Sequence, residues 1–316
     1  SLYVTLEIVR IFQSKFIDWD IEMYYDGIFA TARTSNIPDE LGCIEYIFSD
    51  KTGTLTRNVM EFMSCSINGK VYGRGVTEIA IAAAKRRGEE VEIQNNNGKA
   101  FQDPQFYQMI DNPPDDVRDF LWLLATCHSV IAEEDEGQIR LRASSPDEEA
   151  LVSAAGDFGY KFKKRTPSSL TVEVNGVDVE VPLLATVEFT SARKKSSVII
   201  RHPITNQIVL FTKGADDVIL ENALDSETKE ITKRHLTEFS NNGLRTLCLG
   251  YKYLEESEFQ VWNNKYNNAL CSLHDREEMI NQVASEMETG LNLLGATAIE
   301  DKLQEGVPDA IASLLR

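Results

Sequence analysis

The sequence predicts an α/β protein in two parts: an incomplete α/β domain with a parallel, two-sided sheet, and an α+β domain on an antiparallel sheet inserted into it. Three observations carry this expectation. The apolar run 41–49 places apolar residues on both parities, Cys43 and Ile47 against Ile44, Tyr46 and Phe48. That pattern suits a parallel strand covered by helices on both faces. Two Asn-Gly pairs, Asn68-Gly69 and Asn175-Gly176, sit between alternating apolar residues and mark type I′ hairpins. A buried-strand pattern then returns at 293–299, where the second piece of the first domain should rejoin the sheet that carries residues 41–49.

Taken in order, residues 2–12 are apolar but interrupted by Glu7 and Arg10. No continuous apolar run in the chain reaches the length of a membrane span. The strand at 41–49 leads into Asp50, a carboxylate at the end of a buried strand, where open α/β sheets bind ligands. A hairpin is expected over 67–72. Residues 88–116 are polar, with Asn95-Asn96-Asn97-Gly98 and Pro113-Pro114, and read as a long surface loop. A helix is expected over 117–131 and a second hairpin over 170–181. Strands follow near 184–190, 197–201, 207–212 and 244–250, with helices near 214–225 and 228–242. Pro308 should open a short helix at its first position.

Composition narrows the function. The chain has 316 residues, enough for two ordinary domains, and is 42% hydrophobic, enough for real cores. Its net charge of −18 argues against a nucleic-acid or anionic-lipid surface. Cys43, Cys65, Cys127, Cys248 and Cys271 are dispersed without Cys-x-x-Cys spacing. That suits a reducing compartment and favours neither a disulfide framework nor a zinc site. His128, His202, His235 and His274 share no ligand spacing. Gly73-Arg74-Gly75 is too short for a phosphate loop, and Lys85-Arg86-Arg87 reads as a solvated helix C-terminus.

The most specific feature is Asp50-Lys51-Thr52-Gly53-Thr54-Leu55-Thr56. An Asp beside a Lys and small hydroxyl residues suits a nucleophile that meets a phosphate at close range. The run matches in full the phosphorylation motif of the P-type ATPases, whose phosphorylation domain resembles the haloacid dehalogenase fold. The resemblance implies that Asp50 is the catalytic nucleophile toward the γ-phosphate of ATP. It implies that Lys51 neutralises charge, and that Asp50 and the carbonyl of Thr52 hold Mg²⁺. Many haloacid dehalogenase-like hydrolases carry an acid/base Asp where this chain has Thr52, so the aspartyl phosphate should hydrolyse slowly.

The start, Ser1-Leu2-Tyr3-Val4, resembles the sequence after the helix-breaking proline of the fourth membrane helix in type-IV P-type ATPases, the phospholipid flippases. Met23-Tyr24-Tyr25-Asp26, Ala32-Arg33-Thr34-Ser35-Asn36-Ile37 and the segment 295–304 are also similar to that branch. The resemblance implies a membrane-helix end and stalk at 1–25 and a first piece of the phosphorylation domain at 26–61. It implies a nucleotide-binding domain at 62–292 and a return to the phosphorylation domain at 293–316. It further implies an integral membrane parent of the plasma membrane, Golgi or endosomal system. This segment would face the cytosol, with a phospholipid as substrate and a glycoprotein accessory subunit as partner.

Four clusters resemble the family's nucleotide-binding domain. Ser145-Pro146-Asp147-Glu148 spells a capping box, Ser at the N-cap and Glu148 at N3; the resemblance also sets Glu148 beside adenine. In Phe189-Thr190-Ser191-Ala192-Arg193-Lys194-Lys195 the ring can stack on the base while cations answer the phosphates. The resemblance assigns stacking to Phe189 and the pocket lining to Ser191 and Lys194; a solvated turn at 193–195 is the plainer alternative. Lys213 in Phe211-Thr212-Lys213-Gly214-Ala215 would enter the pocket, with Gly214 allowing the tight turn. Arg245 opens a strand, its planar fork suited to phosphate or ribose oxygens.

The family's actuator loop and its further Mg²⁺-binding Asp motifs have no match here, so the chain reads as a piece of a larger protein. Two alternatives stand beside the flippase reading: an ATP-binding module without turnover of its own, and part of a cation-transporting relative.

Overall fold

The computed structural model describes residues 2–73, 77, 81, 84, 87, 100–135, 138–272 and 274–315. The chain divides into two compact units, residues 1–51 and 52–316. In the first, helix α1 (Leu2–Trp19) is followed by a short 3-10 turn and α2 (Pro38–Leu41). The Asp18 carboxylate caps the segment after α1 by accepting the Ala32 N–H at 2.6 Å. The backbone bond from Ala32, with Lys15 beside it, holds Asp18 below the usual carboxylate range.

The parallel strand expected at 41–49 is not formed. Leu41 ends α2 and residues 42–49 run irregularly, with Phe48 95% and Tyr46 77% exposed. The physical reason is local to this unit. A parallel strand needs neighbours on its edges and helices on its faces, and the described residues of 1–51 contain no other strand.

The second unit is mixed α/β around one large antiparallel sheet. Its strands are β1 (Thr56–Ile67), β2 (Lys70–Tyr72), β5 (Tyr160–Arg165), β6 (Ser169–Val174) and β7 (Val177–Val187). It is completed by β8 (Lys195–Arg201), β9 (Ile208–Gly214), β10 (Arg245–Leu254) and β11 (Asn292–Leu303). Among the described residues the spatial order is β2-β1-β11-β10-β9-β8-β7-β6-β5, and β3 (Ile131–Asp135) with β4 (Gln138–Arg142) forms a separate hairpin. Both Asn-Gly turns are present: Asn68 and Gly69 have φ of 46° and 75°, Asn175 and Gly176 of 48° and 85°. Positive φ at both central residues is the type I′ signature.

Strand β11 corrects a second expectation. The strand exists, but it pairs antiparallel with β1 and β10 inside this sheet instead of joining residues 41–49. Gly295 permits the close approach to β1, since a Cβ there would lie 1.8 Å from the Ser66 carbonyl oxygen. Thr56 pairs with Leu303, and Gln304 N–H donates to Leu55 O at 2.9 Å. The chain therefore enters and leaves the sheet at one point.

Helices cover both faces. In order they are α3 (Pro104–Met109), α4 (Asp115–Thr126), α5 (Pro146–Asp157), α6 (Asp216–Asn222) and α7 (Glu227–Asn241). Then come α8 (Glu256–Leu270) and α9 (Arg276–Met287), and the chain ends in α10 (Val307–Leu314), which buries none of its residues. Alternate residues of β8 and β9 go to different cores. Val198, Ile200, Val209 and Phe211 pack with α4 and α5, whereas Ile199, Ile208 and Leu210 pack with α8 and α9. Phe158 at the end of α5 lies 4.9 Å, centroid to centroid, from both Phe101 and Phe106. Such edge-on pairs add about 0.5–1.5 kcal/mol each beyond burial.

Other differences are smaller. Residues 104–109 form a helix inside the expected loop 88–116, because Asp103 caps it through Gln105 N and Phe106 N. Residues 88–99 lie outside the described residues, as do Arg74, Gly75, Lys85 and Arg86. The helix expected over 117–131 stops at Thr126, and Ile131 opens β3. Pro308 is the second residue of α10, one place later than expected. No helix among the described residues is long and apolar enough to cross a membrane.

Candidate functional site

The site is built at the C-terminal end of β9. Every residue of β9 is buried, Lys213 included. A buried ammonium needs a partner, and its Nζ lies 2.7 Å from Glu148 Oε1, in the first turn of α5. The second oxygen, Oε2, accepts the Ser129 N–H at 2.9 Å and the Ser129 hydroxyl at 2.5 Å. Burial alone would raise the Glu148 pKa. The charge of Lys213 and the hydrogen bonds from Lys213 and Ser129 outweigh it and bring the group down to about 2.

The capping box expected at Ser145 is not made: Ser145 is the N-cap of α5 but makes no side-chain cap bond. Glu148 is drawn to Lys213 and Ser129 instead, one charged donor and two neutral ones outbidding a single backbone N–H. The neighbouring Asp147 accepts from Arg245 Nη1 at 3.1 Å, at the start of β10, and Arg245 Nη2 lies 3.8 Å from Asp301 on β11. Consecutive acids of one helical turn thus reach cations on adjacent strands.

Gly214 ends β9 where a Cβ would lie 2.6 Å from the Lys194 carbonyl oxygen. The absence of a side chain lets the turn dock against the loop 188–194, and Ala215 N–H donates to Lys194 O at 2.9 Å. Phe189 on that loop is 60% exposed, unlike most phenylalanines. Ser191 and Lys194 are exposed too, and Lys194 Nζ lies 3.6 Å from Asp217 Oδ2.

The basic run is not one solvated turn. Arg193 and Lys195 are buried beneath the loop, both paired to Glu288 at the end of α9, with Lys195 Nζ 3.1 Å from Oε2. Arg193 Nη1 also donates to Glu188 O at 2.8 Å, and Ser197 Oγ donates to Glu288 Oε1 at 2.5 Å. Alternation along the chain separates them: Lys194, with φ of 52°, points to solvent between two inward cations.

Asp50 and Lys51 belong to the first unit, Thr52 opens the second, and all three are exposed. The Asp50 carboxylate accepts the Lys51 N–H at 2.8 Å. At the far end of the motif, Thr56 is buried as the first residue of β1. The second unit therefore holds two ion pairs on one turn of α5, Glu148 with Lys213 and Asp147 with Arg245, and ties Lys194 to the end of β9 through the backbone. Phe189 and Ser191 share the loop of Lys194.

Sequence patterns missed Ser129, Asp147 and Glu288. Asp147 stood in a quoted motif beside Glu148, but Ser129 and Glu288 had no local signal. Among the described residues no group of three or more His, Cys, Asp or Glu is arranged to hold a metal ion, and all five cysteines are free. A separate cavity of about 310 Å³ lies on the other side of α5, lined by Phe62, Phe101, Tyr107, Glu149 and Phe158. It contains none of the clustered cations.

Residues 116–306 match the family model of the P-type ATPase cytoplasmic domain N. The chain is 45% identical to phospholipid-transporting ATPase IC of Homo sapiens, over 100% of the chain and 26% of that protein. It is 45% identical to phospholipid-transporting ATPase DRS2 of Saccharomyces cerevisiae, over 99% of the chain and 23% of that protein. It is 43% identical to the probable phospholipid-transporting ATPase IM of Homo sapiens, over 99% and 27% respectively. The chain spans about a quarter of the length of these relatives.

Proposed function

The chain belongs to the P-type ATPase family through its cytoplasmic N domain, and we propose that it is the ATP-binding and phosphorylation part of a phospholipid-transporting ATPase. The relatives' names support the lipid branch. The observation that carries the ATP-binding reading is the cluster at the end of β9: a buried lysine paired to a half-buried carboxylate, bonded through Ala215 to a loop that exposes Phe189.

In this reading Phe189 stacks on the adenine, and Glu148 accepts a hydrogen bond from its 6-amino group. Ser191 and Lys194 line the pocket, while Lys213 and Arg245 answer phosphate and ribose oxygens. The carboxylates that now hold Lys194 and Arg245, Asp217 and Asp147, are exchanged for nucleotide oxygens on binding.

Asp50 is the nucleophile. One of its oxygens bonds to the γ-phosphorus as the bond to the β,γ-bridging oxygen breaks, and ADP leaves with that electron pair. Lys51 offsets the charge that builds on the phosphoryl oxygens. Thr52, lacking a proton-transfer group, leaves the resulting aspartyl phosphate to hydrolyse slowly. Asp50 and the Thr52 carbonyl are hard oxygen donors of the kind Mg²⁺ takes and would hold it. Mg²⁺ held there would supply positive charge to the phosphates. The lipid carried, a glycoprotein accessory subunit and a cytosol-facing position in a membrane parent follow from the same family reading.

Phosphorylation is tested by grafting the chain in place of the matching segment of DRS2 and supplying γ-labelled ATP. An acid-stable, hydroxylamine-labile label that Asp50→Asn abolishes is expected, with faster loss of label on adding the transported phospholipid. A label that survives Asp50→Asn overturns the assignment of the nucleophile.

A further inference from the structure

We propose that Ser129 is the positioning residue that aims Glu148 at the adenine and so sets the base selectivity of the pocket. This rests on the reading that Glu148 meets the 6-amino group.

A carboxylate offers about four lone-pair positions, two on each oxygen. Oε2 of Glu148 accepts twice from one residue, the Ser129 N–H at 2.9 Å and the Ser129 hydroxyl at 2.5 Å. That oxygen is filled. Oε1 accepts once, from Lys213 Nζ at 2.7 Å. One position remains on Oε1, beside the lysine, and it is where an incoming N–H donor can bond. Without the Ser129 hydroxyl, Oε2 regains an open position and the carboxylate can rotate about its last torsion, a soft one.

Ser129 can act this way because its own turn is held from several sides. Cys127 N–H donates to Leu123 O at 2.8 Å, continuing α4 by one bond. The buried His128 ring accepts the Val130 N–H on Nδ1 at 3.2 Å, so its proton is on Nε2, which donates to Ala125 O at 2.9 Å. Arg165 reaches across from β5, donating to His128 O through Nη1 and to Thr186 Oγ1 at 2.9 Å through Nη2. Of residues 126–130, Ser129 alone is exposed. The rigid turn therefore presents one hydroxyl and one N–H to Glu148 and buries the rest.

The test compares ATP with purine riboside triphosphate, which lacks the 6-amino group, by calorimetric titration of the full chain. The wild type should bind ATP about tenfold more tightly than the analogue, as one hydrogen bond to a charged acceptor implies. Ser129→Ala should cut that ratio to about threefold or less, and Ser129→Thr, which keeps the hydroxyl, should restore it. A wild-type ratio that survives Ser129→Ala overturns the inference alone. So does an equal loss of affinity for both nucleotides, which a merely structural turn residue would give. A wild-type ratio near one overturns the adenine reading of Glu148 and this inference with it.

Discussion

Two carboxylates serve lysines on neighbouring strands of the same sheet, and they do so on opposite terms. Glu288 is closed in, its side chain 1% exposed, with Arg193 and Lys195 at 5% and 6%. Glu148 is 16% exposed beside a Lys213 at 6%, and the cluster widens to Arg245 at 43% and Lys194 at 56%. The first holds a loop down from beneath; the second leaves acceptor and donor capacity facing solvent. Both look alike as ion pairs. Access is what separates the charge that builds structure from the one we propose meets a ligand.

The largest expected effect lies on the closed side. Glu288→Ala strands two buried cations and should cost about 3–5 kcal/mol of stability, read from the shift in denaturant midpoint. A loss under about 1 kcal/mol would show that solvent reaches this cluster and erase the contrast. On the open side, Lys213→Met leaves Glu148 bonded to Ser129, so the stability change should be smaller than for Glu288→Ala. Its ATP affinity should fall by about 1.5–3 kcal/mol, a charged hydrogen bond's worth. Equal ATP affinity would remove Lys213 from the pocket.

Phe189→Ala should weaken ATP binding by about 1–2 kcal/mol, the scale of base stacking on an aromatic ring. The denaturant midpoint should hold, since the ring is already exposed. A reversed pattern, lower stability with unchanged affinity, would make Phe189 a core residue after all.

The gentlest test is acid. Burial depresses His128 from 6.5 to about 3, so the folded chain refuses a proton that the unfolded chain accepts. Stability should therefore fall as pH drops from about 6.5 toward 3, by about 1 kcal/mol per unit near pH 6. Glu148, held near 2 against 4.5, adds a loss only as pH falls from about 4.5 toward 2. His128→Asn should flatten the upper part of the profile; an unchanged slope there would assign it to another group.

Legibility from sequence follows the range of the interactions. The hairpins at Asn68-Gly69 and Asn175-Gly176 were readable because two adjacent residues decide a type I′ turn. The strands β8 and β9 were readable because alternate residues fill different cores. Residues 41–49 read as a buried strand and are exposed, since periodicity reports what a segment can bury but not whether a neighbour is there to bury it. β11 was seen as a strand yet assigned to the wrong sheet, because antiparallel and parallel partners leave similar traces in a run buried on both faces. Lys213 and Arg245 came from local motifs. Glu288 and Ser129 did not, because each acts on residues distant in sequence: Arg193 for one, Glu148 for the other.

The most direct measurement is an ATP titration of the isotope-labelled chain followed by backbone amide shifts. Shifts should concentrate at Ser129, Asp147, Glu148, residues 189–194, residues 213–215 and Arg245. Shifts gathered instead around the cavity of Phe62, Phe101, Tyr107 and Phe158, or no saturable shifts at all, would contradict the assignment of the nucleotide site.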